Sequence, residues 1–545
     1  MKKYVGALAV LLTTSQVLLA QPEINLSVDF KQGYQVIDNF GASDAWTFDP
    51  MIKQWLAKGQ EQDIQDLAEL MFSIDKGIGL SAWRFNIGAG SKEQGDASLI
   101  QPDNLGRDYR RAELMQAGPN APINPNKQTG QIRFLREATQ HGVTDLIAFS
   151  NSPPVWATKN GLAHPDKAVG SSNLAPDMTE TFAAFLLDVV IYLREKQHIP
   201  INYISPINEP TWHWQGNTQE ANRYNLREVK AVYQALYQQL AKANLAEKIT
   251  IEAGEVVEYT AALSDALYQE FTSHQQVYSG GMNSEEGRGS YKNYIDALLG
   301  DAEMRTQIGN KISLHGYFSE ASSERLGRLR ELVWRNIQQT APGAKVWMSE
   351  LSILGDSADV RQFEGMGWNT SDMTYALHVA KILHRDLSRL NVSAWHWWLA
   401  VSPYNYKDGL IKVNSALEAD SIETSKVFWT LGHYSRFIRP DYQRIALTGA
   451  DDLNGIMATA YKSPDNHKLV IVTINASAVE TPVTLSLANL PKGKVIESFR
   501  VYQTDQQHNL QQIARLSLSN PLKIPPSSVI TLVGDLQTPL TINPN

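Results

Sequence analysis

Cysteine is absent from all 545 residues. That excludes disulfides, thiolate metal sites and a cysteine nucleophile, and leaves stability to core burial, which a chain of this length permits. Basic charge is also short, with 49 Lys and Arg against 57 Asp and Glu and a formal net charge of −8. Sequence-independent nucleic-acid binding relies on a basic surface, so no nucleic-acid partner is expected. Glycine (35) and proline (24) stand at ordinary usage and 43% of residues are hydrophobic. Collagen, low complexity and wholesale disorder are therefore excluded. Walker A, HExxH and GxSxG patterns are missing; GIGLSA (77–82) matches the dinucleotide fingerprint only loosely and precedes a strand where that motif follows one. The 12 histidines show no pairing at metal-ligand spacing. Neither a cofactor nor a metal is expected.

Long apolar runs are confined to the N-terminus. Residues 1–20 read MKKYVGALAVLLTTSQVLLA: two lysines, an apolar stretch, then Ala20 before Gln21. That order is a secretory signal peptide's. The alternative, an uncleaved anchor, has Thr13, Thr14, Ser15 and Gln16 inside a run already short for a bilayer span. The expectation is a secreted protein, periplasmic or extracellular, with no membrane attachment after cleavage.

Between residues 36 and 400, eight short apolar runs alternate with helical segments: VIDNFGAS (36–43), LSAWRFNIG (80–88), LIAFSNS (146–152), YISPINEP (203–210), KITIEAGEV (248–256), KISLHGYF (311–318), KVWMSELS (345–352) and SAWHWWLA (393–400). In one intervening segment Phe182, Phe185, Leu186, Val189, Val190 and Leu193 recur at helical spacing, and Asp177 with Glu180 resembles a capping box. Eightfold strand–helix alternation predicts a closed (β/α)8 TIM barrel; an open doubly wound sheet is the runner-up, without a phosphate loop to support it. At the N-terminus Ile24, Leu26, Val28 and Phe30 alternate with polar residues, and short alternating runs return at 455–461, 468–474, 482–487, 497–503 and 529–534. These predict an antiparallel β-sandwich that the N-terminal strand joins. The expected division is 1–20 signal peptide, 21–35 N-terminal strand, 36–436 barrel and 437–545 C-terminal sandwich. Long inserts at 89–128, 153–176, 211–221, 282–292, 353–370 and 401–424 mostly follow strand ends, where barrel enzymes build their sites.

Glu209 closes the fourth run and Glu350 the seventh. Either glutamate alone is compatible with an ordinary strand-end residue paired to an arginine. Together they suit acetal hydrolysis, in which one carboxyl protonates the departing oxygen and the other attacks or stabilises the anomeric carbon. Trp46, Trp156, Trp212, Trp214, Trp397 and Trp398 fall at or just past strand ends, where flat rings suit the C–H faces of a pyranose. Asp44, Asn151 and His396 are candidate partners for sugar hydroxyls. Each of these also has an ordinary core reading.

Asn208-Glu209-Pro210 resembles the acid/base signature of the retaining glycosidase clan built on (β/α)8 barrels. NFGASDAW (39–46), GIGLSAWRFNIGAGS (77–91), FSNSPPVWATKNG (149–161), YISPINEP, WMSELS and FWTLGHYSRFIRP (428–440) together resemble glycoside hydrolase family 30. The resemblance implies Glu209 as general acid/base and Glu350 as nucleophile, in a double displacement with the carboxyls about 5–5.5 Å apart. It implies Asn208 at the sugar 2-hydroxyl and Arg84 and Tyr317 orienting Glu350, with His315 beside Tyr317; the ordinary readings are a structural ion pair inside the barrel for Arg84 and satisfied core residues for Tyr317 and His315. GASDAW, FSNSPPVW and NEPTWHW running into Gln219-Glu220 look most like the endo-β-1,6-galactanase branch. The implied substrate is a β-1,6-linked galactan or arabinogalactan side chain. The alternatives are a β-1,6-glucanase or another family activity (glucosylceramidase-like, xylanase, exo-acting) and, more remotely, a non-catalytic glycan-binding barrel. The partner is a polysaccharide or oligosaccharide; no obligate protein partner is evident.

Overall fold

The computed structural model describes residues 23–100, 109–169, 172–273, 291–320, 322–354, 363, 367–517 and 521–538. The signal-peptide reading, most of the insert at 282–292 and much of that at 353–370 lie outside them.

Eight parallel segments follow the eight apolar runs: Asn39–Ser43, Ala82–Ile87, Asp145–Ser150, Tyr203–Ser205, Thr250–Ile251 continuing as Gly254–Val256, Lys311–His315, Lys345–Glu350 and Ala394–Ser402. The hydrogen-bonded path begins at Thr250–Ile251 and ends at Gly254–Val256, the two halves of the fifth segment, so the chain itself closes the ring. Gly254 makes that break possible. Its φ is +111°, and a Cβ there would stand 2.4 Å from the Ser313 carbonyl oxygen.

The barrel is a packed core, as its branched and aromatic strands demand. Near its N-terminal end Ala82, Ile147, Trp347 and Ala394 fill the interior. Lys311 is buried among them, its Nζ 3.0 Å from the centroid of the Trp347 ring. Helices cover the outside. Thr179–Glu195 buries Phe182, Phe185, Leu186, Val189, Val190 and Leu193 against the strands. Its N-cap is Met178 and carries no side-chain cap, so the expected Asp177–Glu180 box does not form. A reciprocal box starts the next long helix, Leu226–Lys242: Asn225 Oδ1 accepts from the Glu228 amide at 3.0 Å and Glu228 Oε2 from the Asn225 amide at 2.9 Å.

Ile24–Val36 leaves the barrel and pairs antiparallel with Gln443–Thr448 and parallel with Thr481–Ala488, within a nine-stranded, mostly antiparallel sheet. The two ends of that sheet face each other. Leu26, Val483 and Leu522 from one end meet Phe499, Leu516 and Leu532 from the other around a shared apolar interior, which makes a sandwich. The helix Lys426–Ser435 joins it to the barrel: both ring nitrogens of His433 bond hydroxyls, of Thr531 at 2.8 Å and Thr504 at 2.9 Å.

Candidate active site

Glu350 is the last residue of the seventh strand, and Glu209 stands four residues beyond the end of the fourth. Glu209 takes a left-handed φ of +43°, and its amide bonds the carbonyl of Glu255, itself at +51°, at 3.0 Å. Such conformations cost roughly 1–3 kcal/mol each in a non-glycine residue and concentrate where function fixes a side chain. Both catalytic-candidate carboxyls are buried at the barrel mouth, and one oxygen of each lies within 4.8 Å of the other.

A hydrogen-bonded chain fixes the pair. Arg84 donates from Nη1 to Glu350 Oε2 at 2.9 Å and from Nη2 to Glu255 Oε2 at 3.0 Å. Tyr317 donates its hydroxyl to Glu350 Oε1 at 3.0 Å. Burial, with Glu350 and Glu209 adding to it, pushes the phenol well up, so it stays a donor. His315 donates from Nδ1 to Glu209 Oε1 at 3.1 Å and from Nε2 to Glu255 Oε2 at 3.0 Å. Burial alone would depress this imidazole. The charge of Glu350 and the hydrogen bonds to Glu209 and Glu255 outweigh burial and push it up to about 10. Glu255 is drawn down to about 2: burial opposes ionisation, but the His315 hydrogen bond and charge, the Arg84 charge and a 2.8 Å bond from Ser349 Oγ prevail.

Glu350 itself is raised above the usual carboxylate range by burial; His315 and Arg84 oppose that rise and Glu209 adds to it.

Glu209, His315 and Glu350 converge closely enough to hold a metal ion. Their donor set argues otherwise. A His315 that donates from both nitrogens has no lone pair to offer, and its charge and that of Arg84 beside the carboxyls repel a cation.

The carboxyls open into a cavity of about 330 Å³ lined also by Asn208, Trp46, Trp398, Tyr317, Trp212 and Trp214. Trp46 meets Trp398 edge-on at 5.3 Å, and Trp212 stacks on Phe318 at 5.5 Å with 9° between planes. Arg84 and His315 sit behind the carboxyls and touch the cavity only through them.

Five sequence candidates stand elsewhere. Asp44 is buried, its Oδ1 accepting from the Asn86 amide at 3.0 Å and from Gln131 at 2.8 Å. Asn151 bonds Asn86 at 3.0 Å. Trp156 donates to the Gln116 carbonyl at 2.9 Å and packs on Phe185. His396 faces Asn39 at 2.6 Å. Trp397 is turned away because neighbours on a strand point to opposite faces: Trp398 reaches the cavity, while Trp397 is buried outward and donates to the Asp408 carbonyl at 2.9 Å.

The sequence reading missed Glu255, Arg110 and Asp408. Glu255 had a signal, a second acid in a barrel run; Arg110 and Asp408 lie in inserts without periodicity. Gln219 lines the cavity, but Glu220 is spent on the loop that follows the second strand, accepting from the Ala89 amide at 2.9 Å and Ser91 Oγ at 2.6 Å.

The profile of O-glycosyl hydrolase family 30 matches residues 23–412. The chain belongs to glycosyl hydrolase family 30. It is a glycoside hydrolase with a TIM-like barrel and a β-sandwich. Glucuronoxylanase XynC of Bacillus subtilis (strain 168) is 23% identical over 402 residues, spanning 70% of this chain and 86% of that protein. A conserved exported protein from Bacteroides fragilis superposes with a TM-score of 0.75 at 27% identity, covering 93% of this chain and 100% of the other. An endo-β1,6-glucanase gives a TM-score of 0.59 at 18% identity, with 94% of each chain covered.

Proposed function

We propose that this family 30 enzyme is an exported, retaining endo-β-1,6-galactanase, with Glu209 as acid/base and Glu350 as nucleophile. The observation that supports the mechanism is that one oxygen of each carboxyl lies within 4.8 Å of an oxygen of the other, the closer of the two spacings that glycosidases use. Retaining glycosidases hold their carboxyls about 5–5.5 Å apart, while inverting ones leave roughly 6.5–9.5 Å for a water molecule.

In the first step Glu350 attacks the anomeric carbon, the glycosidic C–O bond breaks, and Glu209 gives its proton to the departing oxygen. Tyr317 and Arg84 hold one Glu350 oxygen each and so fix the angle of attack. In the second step water adds to the anomeric carbon, Glu209 takes its proton, and the ester bond to Glu350 breaks. Asn208 lines the cavity, and its buried Oδ1, without a hydrogen-bond partner among the described residues, supports its reading as the contact to the sugar 2-hydroxyl.

The choice of galactan rests on the resemblance of GASDAW (41–46), FSNSPPVW (149–156) and NEPTWHW (208–214) to the galactanase branch. The second reading is a β-1,6-glucanase, favoured by the fold shared with the endo-β1,6-glucanase. Export is supported by the leader-like residues 1–20 and by the likeness to an exported protein.

Product analysis on β-1,6-galactan, β-1,6-glucan and β-1,3- and β-1,4-linked controls tests this directly. Release of β-1,6-galacto-oligosaccharides from galactan is expected. Cleavage of glucan alone would favour the second reading, early release of monosaccharide would replace endo with exo action, and no cleavage of any glycan would remove both readings.

A further inference from the structure

Asp408 lies between the eighth strand and the short strand Gly409–Lys412. Its backbone is fixed from two sides: its carbonyl accepts from Trp397 Nε1 at 2.9 Å, and the Lys407 carbonyl accepts from the Tyr375 hydroxyl at 2.8 Å. The side chain is buried and lines the catalytic cavity. Ser402 bonds the carboxyl, yet Oδ1 has no hydrogen-bond partner among the described residues. A carboxylate oxygen withdrawn from water without a donor is expensive and is retained where a ligand supplies the donor. Burial pushes this carboxyl up to about 7, the mark of a charge that the protein compensates only in part.

Two buried donor atoms on the same cavity are equally unmatched among the described residues: Trp46 Nε1 and Arg110 Nε. The Arg110 guanidinium is held over the Trp46 ring at 5.1 Å and the Tyr404 ring at 5.4 Å. When ionised, the Asp408 oxygen only accepts, and beside donor-only groups it selects for a group that both gives and takes a hydrogen bond. Asp408 disfavours an anion and Arg110 disfavours a cation, whereas a hydroxyl satisfies both.

The side of the cleft follows from the chemistry. Glu209 must reach the bridging oxygen, so the leaving sugar lies towards Trp212 and Phe318. The sugar that is attacked lies towards Glu350, and strands eight and one, which carry Trp398 and precede Trp46, follow strand seven around the ring. We propose that Asp408, with Arg110 and Trp46, reads one ring hydroxyl of the attacked sugar remote from its anomeric carbon, and so sets which sugar the enzyme accepts. This rests on the glycosidase reading above and adds the residue that selects the substrate.

The test compares wild type with Asp408→Ala, and with the near-isosteric Asp408→Asn in case the alanine variant does not fold. The substrates are the aryl β-galactoside and β-glucoside and their 3-, 4- and 6-deoxy forms; kcat/KM is measured for each, and the affinity for free galactose and glucose is measured by calorimetry. A hydrogen bond to a charged group predicts that wild type loses roughly 10–150-fold on one deoxy substrate. Asp408→Ala is expected to lose a similar factor on the parent sugar and little more on that same deoxy form. Equal losses by the variant on every substrate, or no loss, would overturn the proposal. A wild type that cleaves nothing but binds sugar in an Asp408-dependent way would overturn the hydrolase reading and leave this one standing. A wild type that neither cleaves nor binds would overturn both.

Discussion

Arg84 sets its Nη1 2.9 Å from Glu350 Oε2 with neither side chain appreciably open to solvent. As the proposed nucleophile, Glu350 attacks only when ionised, and burial raises its pKa above the ordinary 4.5. Activity therefore falls as pH drops through that raised value, and the acidic limb of the kcat/KM profile lies above the usual carboxylate range. Arg84→Met removes a charge that opposes the rise, so its limb is expected at still higher pH; Arg84→Lys keeps the charge and is expected to recover part of the shift. An acidic limb unmoved in Arg84→Met would remove the arginine from control of Glu350.

Glu209→Ala separates the two carboxyls by role. Loss of a general acid costs about 10²–10⁴-fold where the leaving group needs a proton, and far less on a dinitrophenyl glycoside that departs unaided. Azide is expected to restore Glu209→Ala with a retained glycosyl azide and Glu350→Ala with an inverted one. Equal losses on good and poor leaving groups, or the two azide products exchanged, would reverse the assignment.

Glu255 meets the two cations behind the carboxyl pair, Arg84 at 3.0 Å and His315 at 3.0 Å. His315 is held up at about 10 against an ordinary 6.5, so its imidazolium, and the stability it contributes, is complete below 6.5 and is lost as pH rises through about 10. Glu255→Gln is expected to bring that titration down and to lower kcat with little change in KM, because Glu255 does not line the cavity. Labelled-histidine NMR gives the first result and steady-state kinetics the second. An unchanged His315 titration would contradict the role.

Trp397 and Trp398 adjoin in sequence and differ in use. Trp397→Ala empties a fully buried site and is expected to cost about 3–5 kcal/mol of stability by denaturant unfolding. Trp398→Ala removes a ring that faces the cavity and is expected to raise KM with a smaller loss of stability. Equivalent effects in both assays would show that strand alternation does not divide them.

The barrel was legible because each strand is a short apolar run. Glu209 and Glu350 drew notice only as a pair closing two separate runs, since either alone reads equally as a strand-end residue bonded to an arginine, and the structure brings an oxygen of each within 4.8 Å of the other. The strands Gln443–Thr448 and Gln511–Ser517 were not: the second buries almost nothing, so no alternation marks it. Trp397 was misplaced by counting position along the chain and ignoring side-chain alternation. Asp408 and Arg110 draw their meaning from groups far away in sequence, Trp46 among them, and no local pattern carries that.

The most direct test is the configuration of the first-formed product, followed by proton NMR during hydrolysis of an aryl β-glycoside. Double displacement across the short gap between Glu209 and Glu350 predicts that the β-anomer appears first and equilibrates slowly to the α-form. An α-anomer appearing first would mean inversion by a single displacement and would contradict the account.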